Sequence, residues 1–188
     1  MVTLSFYARE LGTRQKKRAM GTTPENYFEN FVYANYIDCQ SNKWSVRYAF
    51  NAAVSASHLA DHYYNYYMKH DKSKIKEFKK LGDFIEFISD NTNGCFKDIR
   101  SISNAYKHLY SSTNPQKATY WSVSSPGVLE SILFNVKGLP LKQIEENYTS
   151  IADEDNLEPR VVFTRTDGSR VDFFKTLEAV IDFWNRIL

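Results

Sequence analysis

The chain has 188 residues and a formal net charge of +2, which is too small to attract nucleic acid through bulk electrostatics. Hydrophobic residues make up 43% and charged residues 24%, a balance that excludes a disordered chain and allows one domain with a sizeable core. No apolar stretch is as long as a membrane span, and residues 1–20 lack a signal-peptide core. Cys39 and Cys95 lack CxxC spacing and predict reduced, packed thiols. We therefore expect a cytoplasmic protein with no membrane partner.

The chain opens with an N-terminal arm, residues 1–22, that precedes the first helical pattern. The arm contains the basic run RQKKR, which predicts a solvated segment, with a phosphate-contacting arm as the alternative. Thr23, Pro24 and Glu25 then supply an N-cap, a proline at the first helical position and an acidic first turn. We expect the first helix to begin at this point.

Residues 44–68 have the period of a helix and are apolar or aromatic on most of the helical circumference. At 100° per residue, the polar side chains fall within one narrow stripe of about a third of a turn. A helix this apolar is normally central, so the stripe should face a cleft, a polar network or a partner. The polar stripe consists of Arg47, Asn51, His58, Asp61, His62 and Asn65.

Two further helices are predicted before the hydrophobic period changes. Apolar residues at three- and four-residue spacing predict a helix over residues 73–89, which the sequence DNTNG then breaks. The same spacing predicts a fourth helix from Phe96 to about residue 110, and a Ser-, Asn- and Pro-containing segment ends it near residue 115.

The second half of the chain changes to the pattern of strands. Asp167 and Gly168 give a strong hairpin signal, because Asp-Gly suits a tight turn with positive φ. Leu177, Val180 and Trp184 mark a closing amphipathic helix. Residues 141–155 are polar and fit a short helix followed by a loop. Strands are predicted over residues 117–123, 128–136, 160–166 and 170–174.

Together these patterns predict an α+β fold that is mainly α. It comprises a four-helix core followed by a small antiparallel β-sheet and a C-terminal helix. We expect residues 1–22 to form the arm and residues 23–114 the helical core. Residues 115–188 should form a subdomain of sheet plus C-terminal helix packed on that core.

The first candidate site lies on the second helix, in the sequence HLADH. His58 and His62 are spaced i, i+4 on one helical face, which suits metal chelation, and Asp61 could orient an imidazole. Zinc would need a further ligand, and the sequence has no HExxH pattern. A hydrogen-bonded polar network inside the helical core is the preferred interpretation, so no metal and no cofactor are predicted.

The second candidate site lies on the fourth helix. Arg100, Asn104 and His108 follow one another at four-residue intervals and form a plausible phosphate-handling set. Arginine offers planar, permanently charged donors to phosphate oxygens, histidine can accept a proton near pH 7, and asparagine can fix either partner. The alternative is that these groups cover the solvent side of an amphipathic helix.

A helical core with this Arg/Asn/His signature on its last long helix resembles the HEPN superfamily. Members share a bundle of about four helices, and many form dimers with an Arg-x4–6-His motif at the subunit junction. Seven residues separate Arg100 from His108 in this chain. The chain is also similar to uncharacterised bacterial helical proteins in which a His-Leu-x-Asp helix precedes an Asn-x-x-Lys-His helix and a C-terminal Asp-Gly hairpin.

The HEPN resemblance implies an RNA- or nucleotide-binding protein, and its catalytic members are metal-independent endoribonucleases of toxin or antiviral-defence systems. Arg100 would then steady the scissile phosphate, and His108 would transfer the proton. Lys107 would help to offset the developing charge. His58, Asp61 and Asn104 would form the supporting shell.

Two other functions are open on the sequence. One is a non-catalytic homodimeric interaction or scaffold module, in which the polar stripes form a buried network; the many tyrosines fit an interface. The other is a small-ligand or nucleotide pocket between the helices. This pocket would be formed by Arg47, His58, Asp61 and Arg100.

Overall fold

The computed structural model describes residues 23–107, 129–135 and 157–188. Helix α1 comprises Pro24–Tyr27, the π-helical stretch Phe28–Val32 and Tyr33–Ser41. It is followed by α2 (Val46–His70), α3 (Leu81–Asn91) and α4 (Cys95–Lys107). The remaining elements are β1 (Glu130–Asn135), β2 (Leu157–Thr164), β3 (Arg170–Asp172) and α5 (Phe173–Ile187).

The predicted class and order are confirmed: a mainly helical α+β fold with four helices, a small antiparallel sheet and a C-terminal helix. The N-terminal arm, the predicted strand over 117–123 and the segment 141–155 lie outside the described residues. Within the described ranges, none of the helices combines the length and hydrophobicity that a membrane span requires.

Helix α1 begins as the sequence predicts. The Thr23 hydroxyl accepts the backbone N–H of Asn26 at 3.2 Å, and Pro24 occupies the first turn. The far end of α2 returns to this point, where the Tyr67 hydroxyl donates to Glu25 Oε1 at 2.8 Å. This bond ties the start of α1 to the last turns of α2.

Helix α2 is central, as its pattern predicts. Its small residues allow neighbouring backbones to approach closely, and Leu59 is fully buried among them. Tyr63 extends the buried face towards the end of the helix. The alanines with at most 1% exposure are Ala49, Ala52, Ala53, Ala56 and Ala60.

The helix predicted over residues 73–89 is wrong in its first half. A short 3₁₀ turn, Lys72–Ile75, follows Asp71, whose carboxylate accepts the Ser73 N–H at 3.1 Å. The chain is extended at Lys80 before α3 begins, and the Asp83 carboxylate accepts the Lys80 N–H at 3.3 Å. Local side-chain bonds to the backbone compete with a continuous helix, so apolar spacing alone overextends the prediction.

The three strands pair antiparallel in the order β1, β2, β3. The predicted hairpin is confirmed: Gly168 has φ +84°, and Asp167 Oδ1 accepts the Ser169 N–H at 2.8 Å. The last predicted strand extends too far, because Asp172 caps α5 by accepting the Lys175 N–H at 3.1 Å. Phe174 therefore belongs to α5 rather than to a strand.

Helix α5 returns the chain from the sheet to the helical core. Trp184 is fully buried, and its ring lies 5.7 Å from Tyr63 of α2 and 6.3 Å from Phe84 of α3 between centroids. Val161 and Phe163 of β2 belong to the same hydrophobic cluster. One core therefore joins all five described helices to the sheet.

Candidate functional site

A paired ion contact joins the polar stripe of α2 to α4. Arg100 Nη1 donates to Asp61 Oδ2 at 3.0 Å, and Arg100 Nη2 donates to Asp61 Oδ1 at 3.3 Å. The side chains of Arg100 and Asp61 are 25% and 34% exposed. Both carboxylate oxygens are engaged, which fixes the plane of the guanidinium, and the Arg100 side chain remains partly exposed.

Two other candidate residues lie one turn from this pair on their own helices. His58 precedes Asp61 by three residues on α2, and Asn104 follows Arg100 by four residues on α4. Both side chains are half-buried. We call the Asp61–Arg100 pair, together with these two neighbours along the helices, the α2–α4 site.

Arg47 does not belong to this region, so the predicted pocket of Arg47, His58, Asp61 and Arg100 needs correction. Asp61 follows Arg47 by fourteen positions along α2, which is about 21 Å at 1.5 Å per residue. The Arg47 side chain is exposed, and its guanidinium carbon lies 4.6 Å from the Tyr48 ring centroid.

The remaining candidate residues, Lys107 and His108, lie where the described part of α4 ends. Lys107 is the last residue of the helix, and His108 lies outside the described residues. The roles predicted for Lys107 and His108 therefore stay predictions.

His62 faces a different neighbour from Asp61. Its ring centroid lies 5.2 Å from that of Tyr27 on α1, and its buried Nε2 has no hydrogen-bond partner among the described residues. The same residues contain no group of three or more His, Cys, Asp or Glu side chains arranged to hold a metal ion. The polar stripe thus divides, with Asp61 directed to α4 and His62 to α1.

A second ion pair joins α4 to Arg165, the residue that follows β2. This pair was not predicted from the sequence. Asp98 Oδ2 accepts Arg165 Nη2 at 2.6 Å and Arg165 Nε at 3.0 Å. The Asp98 side chain is only 3% exposed, whereas that of Arg165 is 35% exposed. The hydrogen bond to Asp98 raises the pKa of the Arg165 guanidinium. In the sequence, Asp98 is a carboxylate beside the buried stripe of an amphipathic helix. That pattern does not indicate Arg165, 67 residues later, as its partner.

Neither cysteine is suited to nucleophilic chemistry. Burial raises the pKa of the Cys39 thiol to about 11, with a smaller contribution from Asp172. Burial also raises the pKa of the Cys95 thiol. Both thiols are therefore protonated at neutral pH, and a thiol is a poor nucleophile.

No protein-family model, curated protein or solved structure matches this chain. A guanidinium has five N–H donors, and the described contacts of Arg100 with Asp61 use two of them. A partly exposed arginine of fixed orientation can direct donors to an anionic oxygen.

The two ion pairs on α4 should differ in energetic coupling. We expect a double-mutant cycle on Asp61 and Arg100 to give a coupling free energy of about 0.5–1 kcal/mol, because both side chains remain partly hydrated. The matched cycle on Asp98 and Arg165 should give a larger value, because its carboxylate is buried. Each cycle uses the two alanine variants and their double variant in urea unfolding. Equal coupling, or stronger coupling at Asp61, would contradict this interpretation.

Proposed function

We propose that the protein binds RNA or a nucleotide at the α2–α4 site in the manner expected of a HEPN-like protein. The observation that supports this proposal is the bidentate, partly exposed Asp61–Arg100 pair. A carboxylate that uses two donors of an arginine holds the guanidinium in one plane and leaves its other donors for a phosphate. The half-buried His58 and Asn104 would supply polar contacts on either side.

We further propose metal-independent RNA cleavage as the activity of this site. A ribose 2′-hydroxyl would lose its proton to the His108 imidazole, and the resulting oxygen would attack the adjacent phosphorus. The bond from phosphorus to the 5′-oxygen would break, and that oxygen would take up a proton from water. Arg100 and Lys107 would offset the charge that develops on the phosphate oxygens. The HEPN resemblance supports the roles of Arg100 and His108.

The binding test compares Arg100→Ala with Arg186→Ala in the full chain. Arg186 is exposed near the end of α5, so its variant removes the same charge away from the site. We expect Arg100→Ala to weaken the binding of a fluorescent single-stranded RNA about tenfold at low salt, since a charge-assisted hydrogen bond contributes about 1.5–3 kcal/mol. Fluorescence anisotropy measures both affinities. Identical affinities for the two variants, or a wild-type protein that binds no RNA, would refute the proposed binding site.

The cleavage test adds EDTA and follows the same RNA on a denaturing gel. Wild-type protein should cut the RNA, and His108→Ala should bind it and leave it intact. If the protein binds RNA through Arg100 but does not cut it, the binding proposal stands and the proposed cleavage activity is rejected.

The second candidate function is a homodimeric interaction or scaffold module, and the outer face of α1 favours it. Tyr33 and Ile37 are 43% and 39% exposed and lie four residues apart on α1, which places two large apolar side chains on one helix surface. An apolar surface of this kind suits association with another protein.

The dimer test compares Ile37→Glu with Asn51→Glu, which introduces the same charge at an exposed position of α2. If the α1 face is a dimer interface, sedimentation velocity should show a wild-type dimer that Ile37→Glu converts to monomer. Asn51→Glu should remain dimeric. A monomeric wild-type chain at every concentration tested would reject the homodimer, whatever the outcome of the RNA experiments.

A further inference from the structure

A concave surface lies at the start of α2, at the opposite end of this helix from the bond between Tyr67 and Glu25. It has a volume of about 450 Å³, which is in the range of small-molecule pockets. The turn between α1 and α2, strand β2 and the start of α5 form its walls. We call it the Trp44 cavity; its lining includes Lys43, Trp44, Arg160, Asp172, Lys175 and Glu178.

Trp44 is the most unusual group in this lining. It is 56% exposed, the largest exposure among the large hydrophobic side chains that the structure describes as exposed. The backbone beside it is nonetheless fixed, because the Val161 N–H donates to the Lys43 carbonyl at 3.0 Å and the Ser45 N–H donates to the Asn42 carbonyl at 2.8 Å. An indole on a fixed turn beside a cavity offers a preformed stacking face at little entropic cost.

The described lining around the indole carries more positively charged than negatively charged side chains. Among the residues that the structure describes, three cations and two carboxylates line the cavity. Asp172 is already paired with Arg160 at 3.3 Å, which offsets one charge of each sign. The Lys43 ammonium lies 4.8 Å from the Phe174 ring centroid, so its position at the wall is supported by a cation–π contact. Lys43 and Lys175 therefore face a single remaining carboxylate, that of Glu178.

We infer that the Trp44 cavity binds a nucleoside monophosphate or a similarly sized planar ring that carries a phosphate. The ring would stack on the exposed indole, which accepts any base because every base has a π-face. The phosphate would lie towards Lys43 and Lys175.

This inference does not depend on the proposed RNA site. Val46 begins α2 beside the cavity, and Asp61 follows it by fifteen positions, which is about 22 Å along the helix. A variant at one location therefore leaves the side chains of the other in place. Failure of either proposal can be recognised separately.

The test measures calorimetric binding of adenosine 5′-monophosphate, uridine 5′-monophosphate, adenosine and inorganic phosphate to the full chain. We expect both monophosphates to bind, adenosine to bind more weakly, and phosphate alone to bind weakest, because ring and charge contribute together. Trp44→Ala should weaken monophosphate binding about tenfold, which is within the range measured for loss of base stacking. Trp44 is exposed, so we expect this variant to fold.

A variant that lacks both lysines tests the proposed contact with the phosphate. Lys43→Ala combined with Lys175→Ala should weaken monophosphate binding about tenfold and leave adenosine binding unchanged. Lys79→Ala, which removes an exposed lysine elsewhere, should bind like the wild type. The inference is overturned if the monophosphates give no heat at millimolar concentration, if Trp44→Ala binds them as tightly as Lys79→Ala does, or if phosphate alone binds equally well.

Discussion

The structure depends on the burial of α2 around most of its circumference. Alanines at positions such as Ala53 and Ala56 let other elements approach the helix closely, and Tyr63 connects it to the aromatic cluster around Trp184. A helix surrounded in this way cannot leave charged groups unpartnered at low free-energy cost. A charged side chain on it must therefore reach solvent or find a partner on another helix.

The polar stripe shows both outcomes. Arg47 and Asn51 reach solvent near the start of α2, whereas Asp61 is paired with Arg100 in the middle of the helix. The buried Asp98–Arg165 pair holds the same helix, α4, from the side of the sheet. Helix α4 is thus fixed by one ion pair to α2 and by another to the end of β2. That arrangement gives Arg100 a defined orientation, which a phosphate-binding role requires.

Local signals in the sequence predicted the features that depend on neighbouring residues. Thr23 and Pro24 located the start of α1, and Gly168 located the hairpin, because caps and tight turns are formed within a few residues. The helical wheel correctly placed Asp61 on the polar stripe. A wheel ignores the distance along the helix axis, so the predicted pocket wrongly placed Arg47 beside Asp61. The Asp98–Arg165 pair depends on where the chain after β2 lies relative to α4, which no local pattern encodes.

The central claim is that a bidentate contact with Asp61 holds the Arg100 guanidinium rigidly between α2 and α4. ¹⁵N NMR of the arginine side chains tests it most directly, since a guanidinium bound by two parallel hydrogen bonds rotates slowly about its bonds. We expect separate Nη signals for Arg100 in the wild type that merge in Asp61→Asn, while those of Arg165 are unchanged. A single averaged Nη signal for Arg100 in the wild-type protein would contradict the account.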